Sequence, residues 1–214
     1  MGYIIRDLVG VVLSVIALLV AVSRADAHPH ILPTVRTAIT FDTQGRATTV
    51  QHTWVYDLAY STFVKRDIDA NKDGIISRDE LAAFAKTQLD ALAEHSYFTT
   101  SGGIELGLLT SHSIEMLADG RLQLTFTAPF KTPLARGDQI VIEIHDPSMF
   151  AYFTMSPDGV RLIGARDGCQ PMVTGPQPVD LKDTRSIPSV FWQALDGSKA
   201  ASLQLINRIT VTCP

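Results

Sequence analysis

Val50-Gln51-His52-Thr53-Trp54-Val55-Tyr56 is the stretch that decides the fold class. Val50, His52, Trp54 and Tyr56 fall on one side of an extended chain, and Gln51, Thr53 and Val55 on the other. A period of two suits a half-buried strand and does not suit a helix. Upstream, Val35, Ile39 and Phe41 alternate with Arg36, Ala38 and Thr40. Thr43-Gln44-Gly45 lies between the two runs as a turn, so the pair reads as an antiparallel hairpin.

Downstream the period changes. A helical segment is expected from about Leu58 to Ile68 and another from about Ser77 to Glu94, with Leu81, Phe84, Leu89 and Leu92 as the apolar stripe of the second. The residues between them, Asp69 to Glu80, read DANKDGIISRDE. Asp69, Asn71 and Asp73 stand at positions 1, 3 and 5 of a twelve-residue calcium loop, Gly74 at the turn position and Glu80 at position 12. Ile75 would offer its backbone carbonyl, and Ser77 a ligand direct or through water. Hard oxygens in a flexible loop suit Ca²⁺ better than Mg²⁺. The reading is an EF-hand, with calcium pinning the helical insertion to the rest of the chain. No second loop is found to pair with it.

Alternation then returns. A segment near His112 to Met116 leads through Asp119-Gly120 to Leu122, Leu124 and Phe126, which alternate with Arg121, Gln123 and Thr125. Ile140, Ile142 and Ile144 follow the turn at Arg136-Gly137-Asp138. Pro147 ends that strand, and Ala151 to Met155 is expected as the next. Past Gly168 the pattern fades into a Pro-spaced stretch, with a short helix near Ser189 to Leu195 and a last strand at Leu205 to Thr212. The expected class is α+β: an antiparallel β-sandwich or partly open barrel, carrying the helix–loop–helix between its second and third strands at about 58–95.

The first 27 residues read as a secretory signal peptide. Val9 to Val22 is an apolar run short for a bilayer span, and Ala25-Asp26-Ala27 supplies the small residues of a cleavage site before His28. The exported part, His28 to Pro214, is then one β-rich domain in the periplasm. A net charge of −4 without a Lys/Arg cluster argues against nucleic acid and anionic lipid as partners. Cys169 and Cys213, the two cysteines, would pair in an oxidising compartment and tie the last strand to the Pro-containing segment.

His28-Pro29-His30 would begin the cleaved chain. Its amine and two imidazoles could clasp Cu²⁺ or Ni²⁺, though Pro29 lacks the amide that a square-planar amino-terminal site requires. A solvated terminus with two spare histidines is the alternative. His52 is the best-placed third ligand, and His95, His112 and His145 read as ordinary packed or surface residues. Trp54, Tyr56, Asp57, Tyr97, Phe98, Asp146, Pro147, Tyr152 and Phe153 could line a cleft, or could simply pack. Tyr-Phe-Thr occurs twice, at 97–99 and 152–154. Sequence signatures of hydrolases, metalloproteases and nucleotide-binding enzymes are missing from the chain.

The Ala27-His28-Pro29-His30 start, Trp54-Val55-Tyr56-Asp57, the acidic loop, Tyr97-Phe98 and the Asp146-Pro147 step before Tyr152 together resemble a bacterial family of exported proteins, domain-of-unknown-function family 1007. It is described as the periplasmic component of an uncharacterised ABC-type transport system. The resemblance runs from about His28 to Met155 and implies a periplasmic accessory role beside a membrane transporter of the nickel/cobalt type, with Ni²⁺, Co²⁺ or Cu²⁺ as the second metal. The expectation is a non-enzymatic calcium-binding protein that serves transport. The alternatives are a copper-dependent oxidoreductase built on His28 and His30, and a purely structural calcium-stabilised module.

Overall fold

The computed structural model describes residues 31–102, 105–134, 139–148, 150–178, 189, 193 and 203–214. His28, His30, the apolar leader and the turn at 136–138 lie outside these residues, as does nearly all of the helix expected near 189–195.

The hairpin forms as its alternation requires. Strands β1 (Thr34–Phe41) and β2 (Ala47–Val55) pair antiparallel, with Val35 opposite Trp54 and Thr37 opposite His52. Helices α1 (Leu58–Ile68) and α2 (Arg78–Ala93) follow, and then a short 3-10 turn at Ser96–Phe98. The remaining strands are β3 (Thr99–Thr100), β4 (Ser111–Met116), β5 (Leu122–Leu134), β6 (Gln139–Ile144), β7 (Thr154–Ile163), β8 (Gln170–Thr174) and β9 (Asn207–Thr212). They form two separate sheets, in the orders β4-β5-β2-β1-β7 and β3-β6-β9-β8. Neither closes into a barrel.

The inward residues of both sheets share one core. Ile39, Trp54, Leu122, Leu124 and Phe126 come from the first sheet, and Ile142, Ile144 and Ile209 from the second. Burying each such side chain is worth roughly 1.5–3 kcal/mol. The helical unit joins this core through Val64, Ile68, Ala85 and Leu89, with Leu81, Phe84 and Leu92 half-buried beside them. Ser61 locks α1 to the sheet: its hydroxyl donates to the Asp57 carbonyl at 2.7 Å and accepts the Leu122 amide at 2.9 Å.

Four features depart from the sequence expectation. One edge of the first sheet is parallel, because β7 lies along β1 with Thr34 beside Thr154 and Ala38 beside Arg161. Periodicity reports which face is buried and not which way a neighbour runs. Strand β5 extends beyond the expected alternation at Leu122 to Phe126, through Pro129 and Pro133 to Leu134. Ala151 makes only an isolated bridge to Ile31, and the strand proper begins at Thr154 and runs to Ile163. Strands β8 and β3 were not expected. Strand β8 contains Pro171 and pairs with β9, while β3 has two residues, too few to show a period.

Cys169 and Cys213 are bonded to each other, with Cα atoms 4.1 Å apart. They sit one residue beyond the Gln170–Thr212 pair of β8 and β9. The bond therefore clamps the last strand to the Pro-containing one, as expected. Among the described residues no helix is long and apolar enough to cross a membrane.

Candidate functional site

The acidic loop is built at both ends by helix capping. Asp69 closes α1, its amide bonding to the Lys65 carbonyl. Ser77 caps α2 reciprocally: its hydroxyl accepts the Glu80 amide, and the Glu80 carboxylate accepts the Ser77 amide at 2.9 Å. This capping box satisfies donors that a helix start leaves orphaned. Those bonds from Ser77 hold the Glu80 carboxyl below the usual carboxylate range. Between the caps the chain reverses through Lys72 and Gly74, at φ 62° and 81°. Gly74 has no Cβ to oppose that conformation.

Loop side chains bond mostly to the loop's own backbone. Asp69 accepts the amides of Asp73 (3.1 Å) and Gly74 (3.0 Å). Asn71 Oδ1 accepts the Asp73 amide, and Asp73 Oδ1 accepts the Ile75 amide. Glu80 reaches back across the loop to the Asn71 amide at 3.4 Å. Asn71 and Asp73 are solvent-exposed, and so are Ile75 and Ser77, while Asp69 and Glu80 are partly covered. Ile76 is half-buried and packs against the core, so the loop has one apolar anchor. Among the described residues no three His, Cys, Asp or Glu side chains converge as a ready-made metal cluster. The donors for a hard cation are in place along one loop, but they are not gathered to a point.

His52 cannot serve as the expected third ligand of an amino-terminal metal site. It is fully buried, with Nδ1 2.9 Å from the Thr37 hydroxyl and Nε2 3.1 Å from the Thr99 hydroxyl. Both ring nitrogens are used. Trp54 and Phe126 lie around the ring, and burial pushes its pKa down to about 3. This is a neutral core histidine.

The aromatic group gathers at one end of the sandwich. Trp54 packs on Phe126 and Phe153 at centroid distances of 5.1 and 4.9 Å, and Phe98 packs on Phe153 at 5.7 Å. The two Tyr-Phe-Thr copies thus meet through their phenylalanines. The acids beside them are structural. Asp57 caps α1 through the Tyr60 amide and also accepts the Leu32 amide at 2.9 Å. Asp146 accepts the Ser148 amide, the Ser148 hydroxyl and the Ala151 amide. Burial, and then the charges of Asp57 and Asp67, raise the Tyr60 phenol to about 12.

Packing therefore accounts for most of this group, yet its outer members bound a cavity of about 200 Å³ whose walls include His145, Pro147, Tyr152, Phe153, Leu205 and Ile206. Sequence reasoning passed over His145, because nothing in its neighbourhood has ligand spacing. It also passed over the backbone at Ser96, Tyr97 and Phe98, which all have φ near +50°. The sequence signals that pointed to this end were the repeated Tyr-Phe-Thr and the aromatics beside Asp146 and Pro147.

Fold and loop together define a two-sheet β protein with an exposed acidic helix–loop–helix set into one side. The chain belongs to the family described as "Protein of unknown function (DUF1007)", whose model matches residues 13–213. No curated protein matches it.

Proposed function

We propose that this protein is an exported calcium-binding accessory component of a transport system, with calcium held by the loop from Asp69 to Glu80. The observation that carries the reading is the loop itself. Side-chain oxygens at positions 1, 3, 5 and 12 lie between two capped helices, with a glycine in the left-handed turn. Asp69, Asn71, Asp73, Ser77 and Glu80, with the Ile75 carbonyl, are the residues that would hold the ion. A bound Ca²⁺ would supply the positive charge that draws three carboxylates to one point. The protein's own part is local. Glu80 belongs to the first turn of α2 and Ile76 to the edge of the core, so ordering the loop tightens the seat of α2.

An exposed, unpaired loop should bind weakly, with Kd on the order of 10⁻⁴ to 10⁻³ M. Ca²⁺ titrated into metal-stripped protein should release or absorb heat and raise the melting temperature, and Asp69→Asn and Glu80→Gln should each remove both effects. A silent titration in the parent refutes the site.

The transport role rests on the family resemblance, which suggests a transition-metal carrier of the nickel/cobalt type as partner. Among the described histidines none joins a metal cluster, and His28 and His30 lie outside the described residues. The metal is therefore read as the carrier's cargo. Deleting the gene should lower nickel or cobalt accumulation in cells and leave calcium uptake unchanged. Normal accumulation of both metals refutes the transport reading without touching the calcium site.

A further inference from the structure

The cavity at the aromatic end carries an inference independent of calcium. His145 lines it, and the ring's Nδ1 is buried with no hydrogen-bond partner among the described residues. Such an atom costs roughly 1–3 kcal/mol unless something supplies the missing bond. Native structures carry few of them, and an ordered water or a ligand is a common resolution.

The surrounding backbone is strained in order to hold this residue. The His145 amide donates to the Phe98 carbonyl at 3.0 Å. Phe98 ends a run of three consecutive non-glycine residues in the left-handed region, at φ 50°, 52° and 51°. Left-handed backbone costs roughly 1–2 kcal/mol per residue, and strain of this kind collects at binding and catalytic sites. On the other side of the cavity, the Asp146 carboxylate folds the chain through the Ser148 and Ala151 amides, which brings Tyr152 and Phe153 to the wall. Two separated segments are thus bent around one imidazole.

The wall chemistry selects the ligand. Among the described residues the lining includes no Lys or Arg to give an anion a countercharge. Asp146, the one carboxylate among the described lining residues, is tied to the Ser148 and Ala151 amides, and no group of three ligand side chains stands beside it to gather a cation among the described residues. Tyr152, Phe153, Pro147, Leu205 and Ile206 offer an apolar bed. About 200 Å³ exceeds the roughly 150 Å³ of a dry apolar cavity that accepts benzene.

We propose that this cavity binds a small uncharged aromatic molecule bearing one hydroxyl, stacked among Tyr152, Phe153 and Leu205 with its hydroxyl on His145 Nδ1. A hydroxyl can donate or accept, so it suits either imidazole tautomer.

The test uses phenol and toluene as probes on the full exported protein. Phenol at millimolar concentration should shift the imidazole nitrogen resonance of His145 and the amides of Ala151 to Phe153, and should bind more tightly than toluene. His145→Phe should weaken phenol about tenfold, the loss expected for one hydrogen bond, and leave toluene within about twofold. Ala151→Phe should fill the cavity and abolish both, while the calcium response is kept. Unmoved His145 resonances in the parent overturn the proposal, and that measurement needs no variant to fold. Equal phenol affinity in His145→Phe, or phenol binding that survives in folded Ala151→Phe, overturns it as well.

Discussion

The acidic loop and the aromatic end of the sandwich are two ways of building a site from the same chain. In the loop each donor is within a dozen residues of every other, and nearly all hydrogen bonds of its side chains stay inside it. It is exposed and touches the core through Ile76. The aromatic end collects Trp54, Phe98, His145, Phe153 and Leu205 from across the chain, with Trp54, Phe153 and Leu205 buried and Phe98 and His145 half-buried. A local site can be loaded or emptied without unfolding the protein. A non-local one exists only while the whole sandwich does. The two should therefore respond differently to mutation, pH and calcium.

The largest effect belongs to the core. Trp54→Ala removes a side chain that is 1% exposed and packed on Phe126 and Phe153. It should cost about 3–5 kcal/mol in urea unfolding, by the same amount with and without calcium. A loss that shrinks when calcium is added would mean that the two regions are coupled. Replacing Cys169 and Cys213 together by Ala should cost roughly 2–4 kcal/mol, since the bond closes a loop with a sequence separation of 44. Reductant should have the same effect on the parent and none on the double variant.

His52 sets the pH response of the core. Its folded pKa lies near 3, against about 6.5 in an unfolded chain. Between those values the unfolded state binds a proton that the folded state refuses. The His52 contribution is therefore whole above about pH 6.5, fades as pH falls, and levels off near pH 3. About 2 kcal/mol should be lost by pH 5, read as a falling denaturation midpoint. His52→Gln should flatten that slope, and an unchanged slope would place its origin elsewhere.

Effects in the loop are smaller. Calcium at ten times its Kd should add about 1.4 kcal/mol, which Glu80→Gln should remove. Ser77→Ala breaks the capping box and should cost about 1 kcal/mol. The Glu80 carboxyl is held low by Ser77, so its capping contribution persists at neutral pH and is lost as pH falls through its folded pKa. That loss should be smaller in Ser77→Ala, which keeps the backbone amide to Glu80 and loses the hydroxyl, as comparison of acid titrations would show.

Legibility from sequence followed the same divide. Helix α1 spans the expected residues, and α2 lies one residue inside its expected bounds, Ser77 and Glu94, which serve as its caps. Each is announced by neighbours three or four residues away. The faces of β2 and β6 were legible because burial alternates along a strand, while in β1 the alternation breaks at Thr37, Ala38 and Ile39, which are all buried. The parallel docking of β7 on β1 was not, since pairing direction depends on a connection of more than a hundred residues. Strand β8 was blurred by Pro171, whose missing amide signals a break until a neighbour shows that none was needed there. His145 was invisible as a candidate because the residues that give it a role are Phe98 and Leu205, each far away in the chain.

By itself the sequence determined the two-residue alternation, the helix–loop–helix with its ordered oxygens, and the pair of cysteines, because each is a short-range chemical pattern. Tertiary structure alone decided that the cysteines bridge β8 to β9, that His52 is sealed between two threonine hydroxyls, and that the two Tyr-Phe-Thr segments meet through Phe98 and Phe153. Those outcomes depend on which distant surfaces exclude water from each other, and that is settled only when the sheets close over a common core.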